Sequence, residues 1–347
     1  MTMALADQLE TRILMTSTTF QFAKRSVLSL ALAGLATGTL LAPVAALATT
    51  PAQVKTQVPG FYRMAIGDFE VTALYDGYIE LDTALLKNAT PKEIKALLAR
   101  SFVNKKSIQT AVNAYLINTG SNLILVDTGS AKCFGPTLGA LPANLKAAGY
   151  EPSQIDTIVV THLHPDHACG LLDADGKPAY PNATLRPAQA EADFWLDAAI
   201  AAKAPKEAQG FFKMARDSVQ PYIDAGKFKP FASGETLAAG ITPVATPGHT
   251  PGHTSYQVTS KDQTLMILGD LIHSYAVQFP RPGIAIGFDN DSSKAVPMRK
   301  KIFDDAVKKQ TYVAGAHLPF PGIGQLRSEG SGYGWVPVQY APFGIGR

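Results

Sequence analysis

The chain has 347 residues, of which 46% are hydrophobic and 17% are charged, so it holds enough apolar material for a sizeable core. A mean hydropathy near zero excludes an ordinary protein with several membrane spans. The net charge of +3 does not indicate the basic surface of a nucleic-acid-binding protein. A nearly neutral chain also lacks a field that attracts charged substrates, which favours a small uncharged one.

The first 48 residues have the pattern of a signal peptide and an N-terminal extension. The basic pair Lys24-Arg25 precedes the apolar run Val27–Leu41, and the small-x-small sequence Ala46-Leu47-Ala48 follows. The run is short for a membrane span. We therefore expect removal of residues 1–48, export to the periplasm or the medium, and no stable membrane insertion of the single domain 49–347. The alternative is an uncleaved anchor.

Hydrophobic periodicity predicts alternating groups of strands and helices in this domain. The predicted strands are Arg63–Ile66, Phe69–Tyr75, Ala114–Asn118, Leu123–Val126, Ile155–Val160, Thr242–Ala245, Leu265–Leu268 and Tyr312–Ala314. The predicted helices are Pro91–Ser101, Pro136–Ala148, Ala188–Ala202, Ala208–Ala225 and Ser293–Lys309, and the Gly- and Pro-rich tail Pro319–Arg347 is expected to wrap the surface. The order favours two packed β-sheets with helices outside, a four-layer α/β arrangement.

A cluster of histidines directly follows the predicted strand Ile155–Val160. The sequence from Thr161 to His167 reads THLHPDH, with three of the seven histidines of the chain. His162 and His164 are two apart, so in extended chain they point to one side. Pro165 then forces a turn that aims Asp166 and His167 at a neighbouring point. The spacing predicts that this stretch supplies two ligands to each of two metal ions.

The remaining candidate ligands follow other predicted strands. His249 lies in a Pro/Gly-rich loop, Asp270 follows a buried strand, and His317 follows the last strand. A buried, unpaired Asp270 is costly unless a metal or hydrogen bonds satisfy it. His253 either hydrogen-bonds Asp166 or a metal ligand, or is a surface turn residue. We expect Asp127 to orient ligands or to cap its loop rather than to bind a metal.

The motif order HxHxDH, PGH, GD and a late His resembles the metallo-β-lactamase superfamily, as does the sequence Leu125–Gly129. Four further segments, Phe61–Asp68, Phe134–Gly139, Ala192–Trp195 and His317–Gly322, resemble its methyl-parathion hydrolase branch. The resemblance implies a four-layer αββα sandwich of two mixed sheets with helices outside. It also implies a homodimer.

By this resemblance, one metal is held by His162, His164 and His249, and a second by Asp166, His167 and His317. Asp270 bridges the two ions, and Asp270 and Asp166 are the catalytic residues. The ligand set suits zinc best, with Mn, Co or Fe as alternatives. Two such ions hold a bridging hydroxide that attacks the substrate directly, without a covalent enzyme intermediate.

The resemblance further implies a substrate pocket lined by Phe134, Trp195, Phe211, His273 and Phe288. A disulfide between Cys133 and Cys169 is expected, with two buried thiols as the alternative. His273 stands three residues after Asp270, where the dedicated phosphotriesterases of the branch carry an aliphatic residue. The histidine at this position favours hydrolysis of lactones and aryl esters in addition to phosphotriesters.

The predicted function is hydrolysis of organophosphate triesters such as methyl parathion, with lactonase and arylesterase activity. The alternative is a lactonase or arylesterase with phosphotriester cleavage as a side activity. A zinc β-lactamase, a glyoxalase-II-type thioesterase, a nucleic-acid-processing enzyme and a metal-binding lactone sensor without turnover are less consistent with the motifs.

Overall fold

The computed structural model describes residues 50–341 and residue 343. The predicted signal peptide lies outside the described residues. Residues 50–55 are irregular and exposed, and the compact unit begins at Thr56. No helix in the described part of the chain is long and apolar enough to cross a membrane.

Two six-stranded mixed sheets form the centre of this unit. The strands are β1 Phe61–Ile66, β2 Phe69–Asp82, β3 Leu86–Lys87, β4 Ser107–Asn118, β5 Leu123–Val126, β6 Thr157–Val159, β7 Thr184–Arg186, β8 Ile241–Ala245, β9 Thr254–Ser260, β10 Gln263–Ile267, β11 Ala285–Ile286, β12 Tyr312–Ala314, β13 Ile323–Glu329 and β14 Gly332–Pro337. The first sheet has the order β1-β2-β4-β5-β6-β7, and the second has the order β14-β13-β12-β10-β9-β8. The parallel pairs are β5 with β6, β6 with β7, and β10 with β12.

Within residues 50–341, eight α-helices and four single 3₁₀ turns accompany the sheets. The helices are α1 Pro91–Ala99, α2 Leu141–Ala147, α3 Pro165–Ala168, α4 Gln189–Leu196, α5 Ala198–Lys203, α6 Lys206–Asp224, α7 Tyr275–Gln278 and α8 Ser292–Lys309. The 3₁₀ turns are Thr83–Leu85, Pro152–Gln154, Cys169–Leu171 and Gly269–Leu271. Helix α1 begins with a reciprocal capping box between Thr90 and Glu93.

Strand β4 shows how the layers are built. Its buried residues alternate between two apolar clusters, because successive side chains of a strand point to opposite faces. Tyr115 and Ile117 join the core between the two sheets, whereas Ala114 and Leu116 face α2 and α6. On the far side, residues of α8 pack against β12 and β13. The predicted four-layer αββα sandwich is confirmed.

Several predicted elements differ from the structure. The strands predicted over Phe69–Tyr75 and Ala114–Asn118 are longer, because β2 and β4 pair with each other as far as Asp82 and Ser107. The helix predicted from Pro136 begins only at Leu141, because residues 136–140 form turns with a positive φ of 92° at Gly139. The helix predicted over Ala188–Ala202 is broken at Asp197, whose carboxylate accepts the Ala199 and Ile200 N–H groups and starts a new helix. The tail does not merely wrap the surface, since β13 and β14 form a hairpin that extends the second sheet.

Candidate metal centre

The candidate ligands converge at one end of the two sheets. His162 and His164 follow β6, and Pro165 opens the short helix α3, which carries Asp166 and His167. The other ligands come from the second sheet: His249 from the loop between β8 and β9, Asp270 after β10 and His317 after β12. The structure therefore brings together all seven residues that were predicted to bind metal.

The first group of potential ligands consists of His162, His164, His249 and Asp270. His164 Nδ1 lies 2.9 Å from His162 Nε2 and 3.0 Å from His249 Nε2. Asp270 Oδ2 lies 3.2 Å from His249 Nε2 and 3.6 Å from His162 Nε2. Three imidazole nitrogens and one carboxylate oxygen thus face a common point.

The second group consists of Asp166, His167 and His317. His317 Nε2 lies 3.5 Å from Asp166 Oδ2, and His167 Nε2 lies 3.6 Å from the same oxygen. Asp270 Oδ1 is 3.1 Å from His167 Nε2 and 3.2 Å from His317 Nε2. Asp270 therefore directs one oxygen at each group, which is the geometry that a bridging carboxylate requires.

Each of four imidazoles is fixed through the nitrogen that faces away from the cluster. His167 Nδ1 donates to Asp127 Oδ2 at 2.9 Å, His249 Nδ1 donates to Asp289 Oδ1 at 3.0 Å, and His317 Nδ1 donates to the Ala111 carbonyl at 2.8 Å. Thr161 Oγ1 donates its proton to Asp127 Oδ2 and so accepts from His162 Nδ1 at 3.0 Å. These bonds set the tautomers and leave the Nε2 lone pairs directed at the cluster.

This arrangement fits divalent cations. His162 Nε2 and His249 Nε2 both lie about 3 Å from His164 Nδ1, so a single proton on that nitrogen satisfies at most one of them. His167 Nε2 and Asp270 Oδ1 are buried without a hydrogen-bond partner. Such groups are costly in an apolar interior and are satisfied by a cation. A set of imidazoles with mixed carboxylates is typical of zinc and related divalent metals.

The protonation equilibria point to the same need for positive charge. Burial lowers the pKa of His162 and of His164 well below the usual value, so both remain neutral ligands. Burial also opposes protonation of His249, but Asp270 and Asp289 outweigh it and raise the pKa of His249 to about 9. Without a metal ion, the two carboxylates therefore stabilise a proton on His249. A bound metal ion would supply this positive charge instead.

Asp127 and Asp289 occupy equivalent supporting positions, but only Asp127 was singled out from the sequence. Asp127 makes the contact that an orienting role requires, through His167 and Thr161. Asp289 lies 40 residues after His249 and belongs to no motif around the ligands. Only the fold brings it behind that imidazole, so the sequence alone did not indicate it.

His253 is a buried residue and not a surface turn residue. Its Nε2 accepts a hydrogen bond of 3.0 Å from the backbone N–H of Asp270, so its Nδ1 carries the proton and lies 2.8 Å from Thr246 Oγ1. Burial lowers the pKa of His253 to about 3, in keeping with a neutral ring. It contacts a candidate ligand as one alternative predicted, but through the backbone of Asp270 and not through Asp166.

The five predicted pocket residues lie on two sides of the cluster. Trp195 packs edge-on against His164 with ring centroids 5.3 Å apart, and Phe211 lies 6.0 Å from the same imidazole and 6.3 Å from Phe134. On the other side Phe288 lies 6.3 Å from His273. Phe134 and Phe288 are each 39% exposed, whereas Trp195 is almost fully buried and forms the floor beneath His164.

His273 contacts the candidate metal ligands directly, in addition to lining the predicted pocket. Its Nε2 is 3.1 Å from Asp270 Oδ2, and its ring stacks on His317 with centroids 5.1 Å apart. Both ring nitrogens are buried and lack a hydrogen-bond partner. Burial lowers the pKa of His273 to about 4, so the ring is neutral and carries one N–H.

Cys133 and Cys169 form a disulfide with a Cα–Cα distance of 6.4 Å. Cys133 precedes Phe134 of the pocket, and Cys169 follows His167 by two residues. The bridge therefore connects the pocket wall to the segment that carries the second ligand group.

Two mixed sheets between helices, with a buried His/Asp cluster at their strand ends, are the features of a metal-dependent hydrolase. The chain belongs to the metallo-β-lactamase superfamily, since the model of that family matches residues 108–317. The superfamily predicted from the motifs is thus confirmed, together with its dinuclear type of metal site.

Solved structures show the same relationship. Hydrolase AbOPH of the β-lactamase superfamily is 42% identical, with a TM-score of 0.80 over 83% of this chain and 100% of its own. AidC, a dizinc quorum-quenching lactonase in complex with the product N-hexanoyl-L-homoserine, is 30% identical, with a TM-score of 0.76 over 82% of this chain and 99% of its own. An N-acyl homoserine lactone hydrolase at 21% identity, with a TM-score of 0.52 over 73% of this chain and 94% of its own, shares the fold. The comparison with curated proteins found no match.

Proposed function

We propose that this hydrolase cleaves small uncharged esters: organophosphate triesters with aryl leaving groups such as methyl parathion, lactones and aryl esters. The observation that carries the proposal is the His/Asp cluster approached between aromatic side chains, with Phe134 and Phe211 on one side and Phe288 on the other. Aromatic walls bind apolar leaving groups, and the nearly neutral chain does not select for charge. Placement in the methyl-parathion hydrolase branch is part of this proposal.

The metal ions and the side chains would have different roles in hydrolysis. Two divalent ions, when bound, would polarise the phosphoryl or carbonyl oxygen and make hydroxide available at neutral pH. Seven residues would hold them: His162, His164 and His249 in one group, Asp166, His167 and His317 in the other, and Asp270 between the groups. We propose zinc as the metal, in line with the imidazole-rich ligand set and the dizinc lactonase AidC.

Asp166 is suited to proton transfer at the reacting atoms. It is 9% exposed, against 3% for Asp270, and so lies nearer the open side of the cluster. Its other oxygen, which does not face the second ligand group, could hold the proton released by the attacking water and return it to the leaving oxygen. Both oxygens of Asp270 lie 3.1–3.2 Å from imidazole nitrogens, one in each group, so this carboxylate serves chiefly to fix the spacing of the two groups.

A second candidate is an enzyme that is principally a lactonase. His273 favours it, because its neutral ring carries one N–H beside the cluster, which could donate to the carbonyl or ring oxygen of a lactone. The 30% identity to the lactonase AidC is consistent with this candidate. In both cases we propose export, which suits a disulfide-bonded chain, and a homodimer in solution.

The test is a side-by-side comparison of kcat/KM for paraoxon or methyl parathion, dihydrocoumarin and 4-nitrophenyl acetate, on protein with its metals counted. We expect all three classes to be hydrolysed, and activity to disappear on removal of the metals. Dominance of the lactone establishes the second candidate. A protein that binds two ions and hydrolyses no activated ester contradicts both.

A further inference from the structure

The buried carboxylate of Glu191 connects two ligand-bearing loops without being a ligand. Glu191 lies in the first turn of α4 and is 1% exposed. Its Oε1 accepts hydrogen bonds from the Leu163 N–H at 2.9 Å and from Trp195 Nε1 at 2.6 Å. Its Oε2 accepts from Thr250 Oγ1 at 2.6 Å and from the Gly252 N–H at 3.1 Å. Four donors thus converge on one side chain.

The donors belong to the two segments that supply the first ligand group. Leu163 stands between His162 and His164, and Thr250 directly follows His249. Gly252 packs against the backbone of α4, where an added Cβ would lie only 2.1 Å from the Glu191 nitrogen. One carboxylate therefore holds both loops at a fixed separation, and with them His164 and His249, whose facing nitrogens are 3.0 Å apart.

The remaining donor to Glu191 comes from the floor of the pocket. The indole N–H that Glu191 accepts belongs to Trp195, which packs on His164 from below. Among the described residues, no lysine or arginine forms an ion pair with Glu191, so hydrogen-bond donors alone offset the cost of burying its charge. Bonds from donors to a carboxylate are roughly twice as strong as neutral ones, which makes the junction stiff.

We propose that Glu191 is a positioning residue that sets the separation between the His162–His164 segment and His249, and thereby the affinity of the first ligand group for its cation. The inference rests on the proposed function in requiring that this group hold a metal ion. In Glu191→Gln, one oxygen becomes an NH₂ group that faces N–H or O–H donors. At least one loop then loses its bond, although the shape of the side chain is nearly unchanged.

The test measures zinc retention and not turnover. Zn²⁺-loaded protein is equilibrated with a graded series of chelator, and the zinc left on each chain is counted. We expect E191Q to release one ion at a chelator activity about tenfold lower than the wild type does, the lower end of the range for residues that support ligands. The second ion should leave at the wild-type value.

The matched control is Asp76→Asn. Asp76 is an equally buried carboxylate that accepts backbone N–H groups, from Ser130 and Leu141, but it touches neither loop of the first group. D76N should lower the thermal midpoint and leave retention of the ion in the first group at the wild-type value. Equal zinc loss in D76N and E191Q would mean that general destabilisation is responsible, and would overturn the proposal.

Thr250→Ala provides a milder variant if E191Q does not fold. It removes one donor to Oε2 and keeps the charge, so we expect a smaller weakening of the same ion. Wild-type zinc affinity in E191Q, or in T250A where E191Q is unfolded, would overturn the inference while leaving the proposed function intact. A wild-type protein that retains no zinc would contradict the proposed function itself.

Discussion

The backbone N–H of Asp270 donates to Nε2 of His253 at 3.0 Å. This bond links the residue at the centre of the cluster to a histidine that belongs to neither ligand group. Gly269, between β10 and Asp270, has a φ of +57°, and a Cβ there would lie 2.7 Å from the same Nε2. The direction in which Asp270 leaves its strand therefore depends on His253 and on the absence of a side chain at Gly269.

Replacement of His253 by Phe should disturb Asp270 without touching any ligand atom. The Asp270 N–H would be left buried without an acceptor, at a cost of about 1–3 kcal/mol in the free energy of unfolding. We also expect kcat/KM to fall about tenfold or more, as for other residues that support ligands. Urea unfolding and ester hydrolysis measure the two effects. His253→Gln, which retains an acceptor, should recover part of both, and equal losses in the two variants would contradict this role.

His273→Leu should change the order of substrates more than the overall activity. Loss of one hydrogen bond to a lactone oxygen corresponds to about 1 kcal/mol, or a fall of roughly five- to tenfold in kcat/KM for dihydrocoumarin. Paraoxon hydrolysis should stay constant or rise, since an aliphatic side chain enlarges the apolar surface around the leaving group. Parallel kinetics on both substrates measure the ratio. An unchanged ratio would show that His273 does not discriminate between them.

Removal of the disulfide should affect both stability and the pocket. Cys133 and Cys169 are 36 residues apart, and closing such a loop contributes about 3–4 kcal/mol in the chain-entropy model. The double variant C133A/C169A should therefore unfold at a lower urea concentration. Because Phe134 adjoins Cys133, we expect KM to rise more than kcat falls. The wild type in reductant serves as the comparison, and a kcat loss with constant KM would argue against a role for this loop in binding.

The pH dependence of stability should contain a contribution from Asp76. Burial raises the pKa of this carboxyl above its usual value, although hydrogen bonds from Ser130, Leu141 and Gly139 oppose the rise. A folded-state pKa above the unfolded one means that the folded state binds the proton more tightly. The contribution is therefore complete below the unfolded pKa of about 4 and is lost as pH rises through the folded-state pKa.

Comparison of the wild type with D76N isolates this contribution. Urea midpoints measured in chelator from pH 3.5 to 7 should show that the stability of the wild type relative to D76N decreases as the pH rises. A difference that is independent of pH would mean that the pKa of Asp76 is the same in the folded and unfolded chain.

The sequence was most informative where the signal was local. The four ligands of the HxHxDH stretch are close together in sequence, so their spacing alone indicated a metal site. His249, Asp270 and His317 each follow a predicted strand, so their convergence could be anticipated from the fold class. Strands of the β1–β2 and β4–β5 pairs and helix α1 were predictable because the hydrophobic period of each segment matches its structure.

Contacts between residues distant in sequence could not be anticipated in this way. Asp289 and Glu191 have no regular spacing in sequence from the loops that they contact. The sequence pattern of α4 also does not show whether the Glu191 carboxylate is buried or exposed to solvent. The β13–β14 hairpin was missed for another reason. Its strands are rich in glycine and polar residues, and their extended conformation is supported by pairing, of β13 with β12 and of β14 with β13, rather than by intrinsic propensity.

The division of the ligands between the two sheets has a consequence for how the protein is assembled. His162, His164, Asp166 and His167 follow the first sheet, whereas His249, Asp270 and His317 follow the second, so neither sheet alone presents a complete group. Tight ion binding is thus acquired late, once the two halves have docked. The number of ions that resist a chelator then reports the fraction of molecules whose halves are correctly joined, which makes it a direct assay of refolding yield.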